Sequence, residues 1–158
     1  MKIIVVSDTH GRNENYFKVL ELHNPDMVIH CGDVENSEYA LESAAECPVY
    51  MVRGNNDFFT ELPAELELQI GKYKCFVTHG HNYYVSMSAK HIKREAIDRG
   101  ADIVFYGHTH KPVIDMDDDV IAVNPGSLSY PRQDGRRPSY VIMEIDKEEK
   151  VHFTIAYL

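Results

Sequence analysis

Short apolar runs closed by polar turn residues recur along this 158-residue chain, at positions 3–6, 27–29, 49–52, 76–77 and 103–106. Runs of that kind predict β-strands. Between the first two, Tyr16, Val19, Leu20 and His23 fall at helical spacing, with Asn13 or Asn15 to cap and Asn24-Pro25 to stop the helix. A shorter helix is expected at about 37–45, before Pro48 opens the third strand. Strands joined through helices predict a parallel βαβ arrangement. Their near-continuous apolar content fits strands covered on both faces.

The middle of the chain has a different rhythm. Residues 65–70 alternate polar and apolar, as a half-exposed strand does, and Gly71-Lys72 turns them into a strand at 73–78. Val85, Ala89, Ile92 and Ala96 mark another helix, capped by Ser86 or Ser88 and ended near Gly100. The tail reads as strands at 113–116, 120–123, 139–145 and 151–157, with Asp117-Asp118-Asp119 as a solvated hairpin tip rather than a cation site.

Composition narrows the class without naming it. Hydrophobic residues at 44% and charged residues at 26% fit a globular chain, most simply one domain over residues 1–158. A net charge of −9 argues against general nucleic-acid binding, which needs a basic face. It leaves small phosphorylated substrates open, because bound cations reverse the local field. The apolar run after Met1-Lys2 is too short for a secretory signal, and no stretch reaches membrane-spanning length. Cys31, Cys47 and Cys75, odd in number and scattered, read as reduced thiols of a cytoplasmic protein.

The strand ends carry the chemistry. Asp8-Thr9-His10, Gly32-Asp33, Gly54-Asn55-Asn56-Asp57, Thr78-His79-Gly80 and Gly107-His108-Thr109-His110 each follow an apolar run. Open α/β sheets place ligand sites beyond the carboxyl ends of their strands. Two carboxylates, four imidazoles and an amide are therefore expected in one crevice. The pairs Asp8/His10 and His108/His110 are two apart, which puts both side chains on one side if extended backbone continues. Asp33 has two oxygens with which to bridge two cations, and Asn55 offers a carbonyl oxygen. Mixed oxygen and imidazole donors suit manganese, iron, nickel or zinc. Two such ions, about 3.5–4 Å apart, acidify a shared water and clamp a phosphoryl group. His23, His30, His91 and His152 lie outside these islands and read as surface or satisfied core groups.

In this order the islands resemble the calcineurin-like metallophosphoesterases, and most closely their small single-domain prokaryotic phosphodiesterases. The resemblance runs over residues 3 to about 129 and includes Asn124-Pro125-Gly126-Ser127. It implies an α/β fold of two packed mixed β-sheets flanked by helices, an α/β/β/α sandwich. It also implies two divalent ions, expected as manganese, with nickel, iron or zinc as alternatives. Asp8, His10 and His110 would hold one ion, Asn55, His79 and His108 the other, and Asp33 would bridge them. Asn55 would also touch substrate phosphate. The expected reaction is hydrolysis of small phosphodiesters by a metal-activated water, and relatives of this kind also associate into homo-oligomers.

One departure bears on mechanism. Many relatives carry a histidine after the asparagine, where it protonates the leaving oxygen. Asn56 stands there instead and has no titratable proton, so esters with good leaving groups should be preferred. Asp57 is left without its usual partner. His81 is expected to touch substrate or to make a supporting hydrogen bond. Arg12, at the mouth of the first helix, is a candidate for substrate phosphate or a solvated side chain. Arg132, Arg136 and Arg137 carry forks suited to phosphate but read better as a charged exposed loop. The alternative function is a catalytically weak scaffold that binds proteins. A two-ion peptidase is disfavoured, because no HExxH helix is present.

Overall fold

A computed structural model describes residues 1–116 and 119–158. In chain order the elements are β1 (Lys2–Val6), α1 (Glu14–His23), β2 (Met27–His30), α2 (Glu38–Ala44), β3 (Val49–Met51), β4 (Glu65–Ile70), β5 (Tyr73–Thr78), α3 (Lys90–Asp98), β6 (Ile103–Phe105), β7 (Pro112–Asp115), β8 (Ile121–Pro125), β9 (Ser139–Ile145) and β10 (Val151–Tyr157). They form two five-stranded mixed sheets, ordered β10-β9-β1-β2-β3 and β4-β5-β6-β8-β7. The βαβ units are parallel as expected, with Ile4 opposite Val28 and Ile29 opposite Tyr50. In the second sheet β5, β6 and β8 run parallel, and β4 and β7 pair antiparallel at its edges.

The continuous apolar strands are explained by burial on both faces. Along β1, Ile3 and Val5 enter the layer between the sheets with Ile29, Val77, Phe105 and Val141. Ile4 and Val6 point the other way, against Tyr16 and Val19 of α1 and Leu41 of α2. On the far side of the second sheet, Phe76 and Val104 pack against Ile92 and Ala96 of α3. The result is the helix–sheet–sheet–helix layering that the family resemblance implies.

Local boundaries depart from the sequence reading in instructive places. The third helix begins at Lys90, not at Val85. The chain before it makes a short 3₁₀ turn over His81–Tyr83, and Tyr84 adopts a left-handed φ of 55°. Val85 nevertheless packs with Ile92 and Ala96, so its apolar position reported burial rather than helix. Ser88 accepts a hydrogen bond from Lys90 N at 3.2 Å. Neither Asn13 nor Asn15 caps α1 through its side chain; Asn15 instead donates to the Leu128 carbonyl at 2.7 Å. Asn24 ends that helix in a left-handed conformation. Of the acidic triplet, Asp117 and Asp118 lie outside the described residues. The three cysteines are free thiols, with Cys31 and Cys75 buried. Among the described residues no helix is long and apolar enough to cross a membrane.

Candidate metal centre

The residues that follow β1, β2, β3, β5 and β6 converge at one end of the sandwich. Backbone bonds tie them together: Asp8 N to Gly32 O (3.0 Å), His10 N to Asp33 O (2.9 Å) and Gly107 N to His79 O (3.1 Å). His110 Nε2 lies 3.1 Å from Asp8 Oδ1. His10 Nε2 lies 3.8 Å from that oxygen and 3.4 Å from His110 Nε2. On the other side, Asn55 Oδ1 is 3.1 Å from His79 Nε2 and 2.9 Å from His108 Nδ1. Asp33 sits between the two groups, its Oδ2 being 3.7 Å from His10 Nε2 and 3.5 Å from His79 Nε2. All seven side chains expected at the crevice are thus brought together.

They do not arrive by extended backbone, contrary to what the two-residue spacing of Asp8/His10 and His108/His110 predicts. β1 stops at Val6 and β6 at Phe105. Asp8, His10, Asp33, His108 and His110 have φ of 55°, 48°, 59°, 67° and 58°. Left-handed turns, not the pleat of a strand, aim these pairs into the crevice. Non-glycine residues pay for that conformation, and such strain concentrates where surrounding structure imposes it for a purpose. Two glycines make the crowding possible. A Cβ at Gly54 would lie 2.1 Å from Asp33 Oδ1, and one at Gly107 would lie 2.0 Å from Ser7 Oγ.

Hydrogen bonding tests whether this donor set fits a cation. His10 Nδ1 meets Glu35 Oε1 at 2.6 Å, His79 Nδ1 meets the Cys31 carbonyl at 2.7 Å, and His110 Nδ1 meets the Tyr130 carbonyl at 2.7 Å. Each acceptor engages the proton on Nδ1, so that in the neutral form of each ring the Nε2 lone pair is directed inward, toward a cation. Two N–H groups cannot face each other across the 3.4 Å between His10 and His110. Asp8 Oδ1, fully buried among them, has no hydrogen-bond donor. An orphaned carboxylate oxygen ringed by imidazole nitrogens is costly unless a cation occupies the space. Oxygen and nitrogen donors without thiolate suit a divalent transition metal.

The carboxylates keep their charge. Burial works against ionisation of Asp33, but hydrogen bonding and charge from His79, with two donors from Asn56, hold its carboxyl well below the usual range. Asp8 is likewise lowered against its burial by His110 and His79. Burial alone would lower the His79 pKa, yet Asp33 and Asp8 raise it.

Several supporting residues carried no clear sequence signal. Asp57, whose role was open, accepts backbone N–H groups of Asp33 (2.9 Å), Val34 (3.3 Å), Glu35 (2.7 Å) and Gly54 (2.7 Å). It pins the loop after β2 to the loop after β3. Asn56 grips Asp33 twice, through its backbone N to Oδ1 (2.9 Å) and its side-chain amide to Oδ2 (2.8 Å). Asn124 donates to Gly107 O and Ser127 Oγ donates to Asp8 O, which gives the Asn-Pro-Gly-Ser motif a bracing role. Glu35, which orients His10, was not singled out at all.

The remaining histidines behave as expected of ordinary groups, with one consequence. His23 meets Tyr140 Oη and His152 meets Asp146. His30 is buried, accepts from Gly32 N and contacts Thr9 Oγ1 at 3.0 Å. Burial pushes its imidazole down to about 4, only partly offset by Asp8, Asp57 and Asp33. The unfolded chain therefore binds this proton more readily than the folded one. The His30 contribution to stability is complete above about pH 6.5 and is lost as pH falls toward 4, about 3 kcal/mol in all. Urea unfolding of metal-free protein across that window should show the loss, and His30→Gln should flatten it; an unchanged slope would contradict the assignment.

His81 is half-buried beside the second group, its ring centroid 5.4 Å from His79 and 6.2 Å from His108. Its Nδ1 is buried without a partner. Arg12 is exposed and lies over the Tyr130 ring at 4.8 Å. Arg132, Arg136 and Arg137 are exposed, as the sequence reading has them, while the backbone of their loop is bonded to the centre at His110. Arg132 and Arg136, with Tyr130, Glu35 and Asn56, line a cavity of about 860 Å³ that opens onto His10 and His110.

Known proteins share this chain's sequence family and fold. The calcineurin-like phosphoesterase superfamily domain matches residues 1–148. A Bacillus subtilis protein named Probable metallophosphoesterase YsnB is 33% identical over 94% of this chain and 86% of its own. Phosphodiesterase MJ0936 of Methanocaldococcus jannaschii is 32% identical over 80% of this chain and 83% of its own. A predicted phosphoesterase of known structure from Streptococcus pneumoniae superposes with a TM-score of 0.81 at 28% identity, covering 99% of this chain and 97% of that one.

Proposed function

The chain belongs to the calcineurin-like phosphoesterase superfamily, and on that premise we propose that it is a metal-dependent phosphodiesterase acting on small phosphorylated molecules. The observation that carries the reading is the convergence of acceptor atoms on both sides of Asp33 Oδ2. Asp8, His10 and His110 would hold one divalent ion, Asn55, His79 and His108 a second, and Asp33 would be shared. Manganese is the expected occupant; nickel, iron and zinc suit the same donors. When bound, such ions supply Lewis-acid activation of water and of the phosphoryl oxygens.

The chain's own residues do the positioning. Glu35 and the carbonyls of Cys31 and Tyr130 fix the three imidazole orientations. The Asn55 oxygen faces His79 and His108, which leaves its amide N–H to meet a substrate oxygen. Asn56 supplies no proton to a leaving group; its amide is spent on Asp33. Turnover should therefore depend steeply on leaving-group acidity, since general-acid help of about 10²–10⁴-fold is missing.

A direct assay tests the reading. Protein stripped with a chelator should be inactive on bis(p-nitrophenyl) phosphate and on p-nitrophenyl phosphate. Manganese should restore activity, with the diester preferred. Turnover without metal would contradict the mechanism. Inactivity with every divalent ion, from folded protein, would favour the scaffold reading.

A further inference from the structure

The geometry points to a second anion subsite at the mouth of the centre, built by Arg132 and Arg136. It deepens the phosphoesterase reading and rests on it: the substrate would carry an additional phosphate or carboxylate besides the scissile group. The molecule is acidic, with a net charge of −9. Two guanidinium groups nevertheless line a cavity that opens onto His10 and His110. Neither arginine is matched by a carboxylate at ion-pair distance among the described residues. Glu35 lines the same wall, but its carboxylate is engaged by His10 Nδ1 at 2.6 Å.

The loop that presents these arginines is fixed to the centre. Arg132 N donates to the His110 carbonyl at 3.0 Å, and His110 Nδ1 donates to the Tyr130 carbonyl at 2.7 Å. Ser129 Oγ donates to the Thr9 carbonyl at 2.8 Å, and the Tyr130 ring meets His10 edge-on at 5.2 Å. Arg136 N closes a turn onto Gln133 O at 3.0 Å, so both arginines ride one short, braced segment. A guanidinium fork is matched to phosphate or carboxylate, and its charge is never titrated away. The cavity, at about 860 Å³, has room for a nucleotide-sized molecule. The structure thus favours substrates such as a nucleoside diester with a further terminal phosphate over singly charged diesters.

Two esters of thymidine 5′-(p-nitrophenyl phosphate), with and without a 3′-phosphate, isolate the effect because they share a leaving group. In manganese-loaded protein the 3′-phosphorylated ester should show kcat/KM at least about tenfold higher, mainly through KM, as one good charged contact pair allows. In the Arg132→Ala/Arg136→Ala protein that ratio should fall toward one. Both side chains are exposed, so folding is not at stake. Calorimetry gives an arm independent of turnover: thymidine 3′,5′-bisphosphate should bind the wild-type protein at least about tenfold tighter than thymidine 5′-phosphate, with the difference lost in the double variant. Equal binding of the two nucleotides by the wild-type protein, or a preference untouched by the double variant, would overturn the subsite. Selective binding without hydrolysis of either ester would leave the subsite standing and overturn the esterase reading instead.

Discussion

Asp33→Ala will lower turnover of an activated diester by on the order of 10³-fold or more, because one substitution removes a ligand expected to serve both ions. Its Oδ2 is the atom placed between the two groups, 3.7 Å from His10 Nε2 and 3.5 Å from His79 Nε2. Metal content after gel filtration should fall from two ions per chain to one or none. The variant should stay folded, since Asp57 holds the backbone N–H of residue 33, not its side chain. Assay and elemental analysis of the same preparation check both parts. Full turnover with both ions retained would contradict the role given to this carboxylate.

Asp57→Ala will be the most destabilising change near the site, although Asp57 is not expected to touch metal or substrate. Four buried or half-buried backbone N–H groups lose their acceptor together. Hydrogen bonds to a charged acceptor contribute about 1.5–3 kcal/mol each, and shared acceptors are not additive, so a loss of roughly 4 kcal/mol is expected. The urea midpoint should drop with little change in slope. Manganese affinity should weaken by about 10–100-fold, as for other groups that hold ligands in place. A loss below about 1 kcal/mol would show that water replaces the carboxylate and that the two loops do not depend on it.

The strands and the convergence of their ends were legible because both rest on patterns local in sequence. Apolar runs mark strands buried on both faces, and each is followed by its own ligand-bearing turn. The means of convergence was not legible. Left-handed φ at Asp8, His10, Asp33, His108 and His110 is imposed by contacts between distant loops, such as His10 N to Asp33 O, and no local propensity announces it. The same holds for Glu35 and Asp57, whose partners lie 25 and 22–24 residues away for the bonds to His10 and to residues 33–35. Arg132 and Arg136 looked like a solvated loop because their charges are exposed; only the bonds of Tyr130 and Arg132 to His110 reveal where that loop lies. Val85 failed differently: helical spacing placed it in the core correctly but said nothing of the 3₁₀ turn that carries the chain there.

Anomalous diffraction from crystals soaked in manganese addresses the paired-ion centre most directly. The expected map has two peaks per chain about 3.5–4 Å apart, with an Asp33 oxygen within bonding distance of both. A single peak, or two peaks with Asp33 bound to only one, would contradict it.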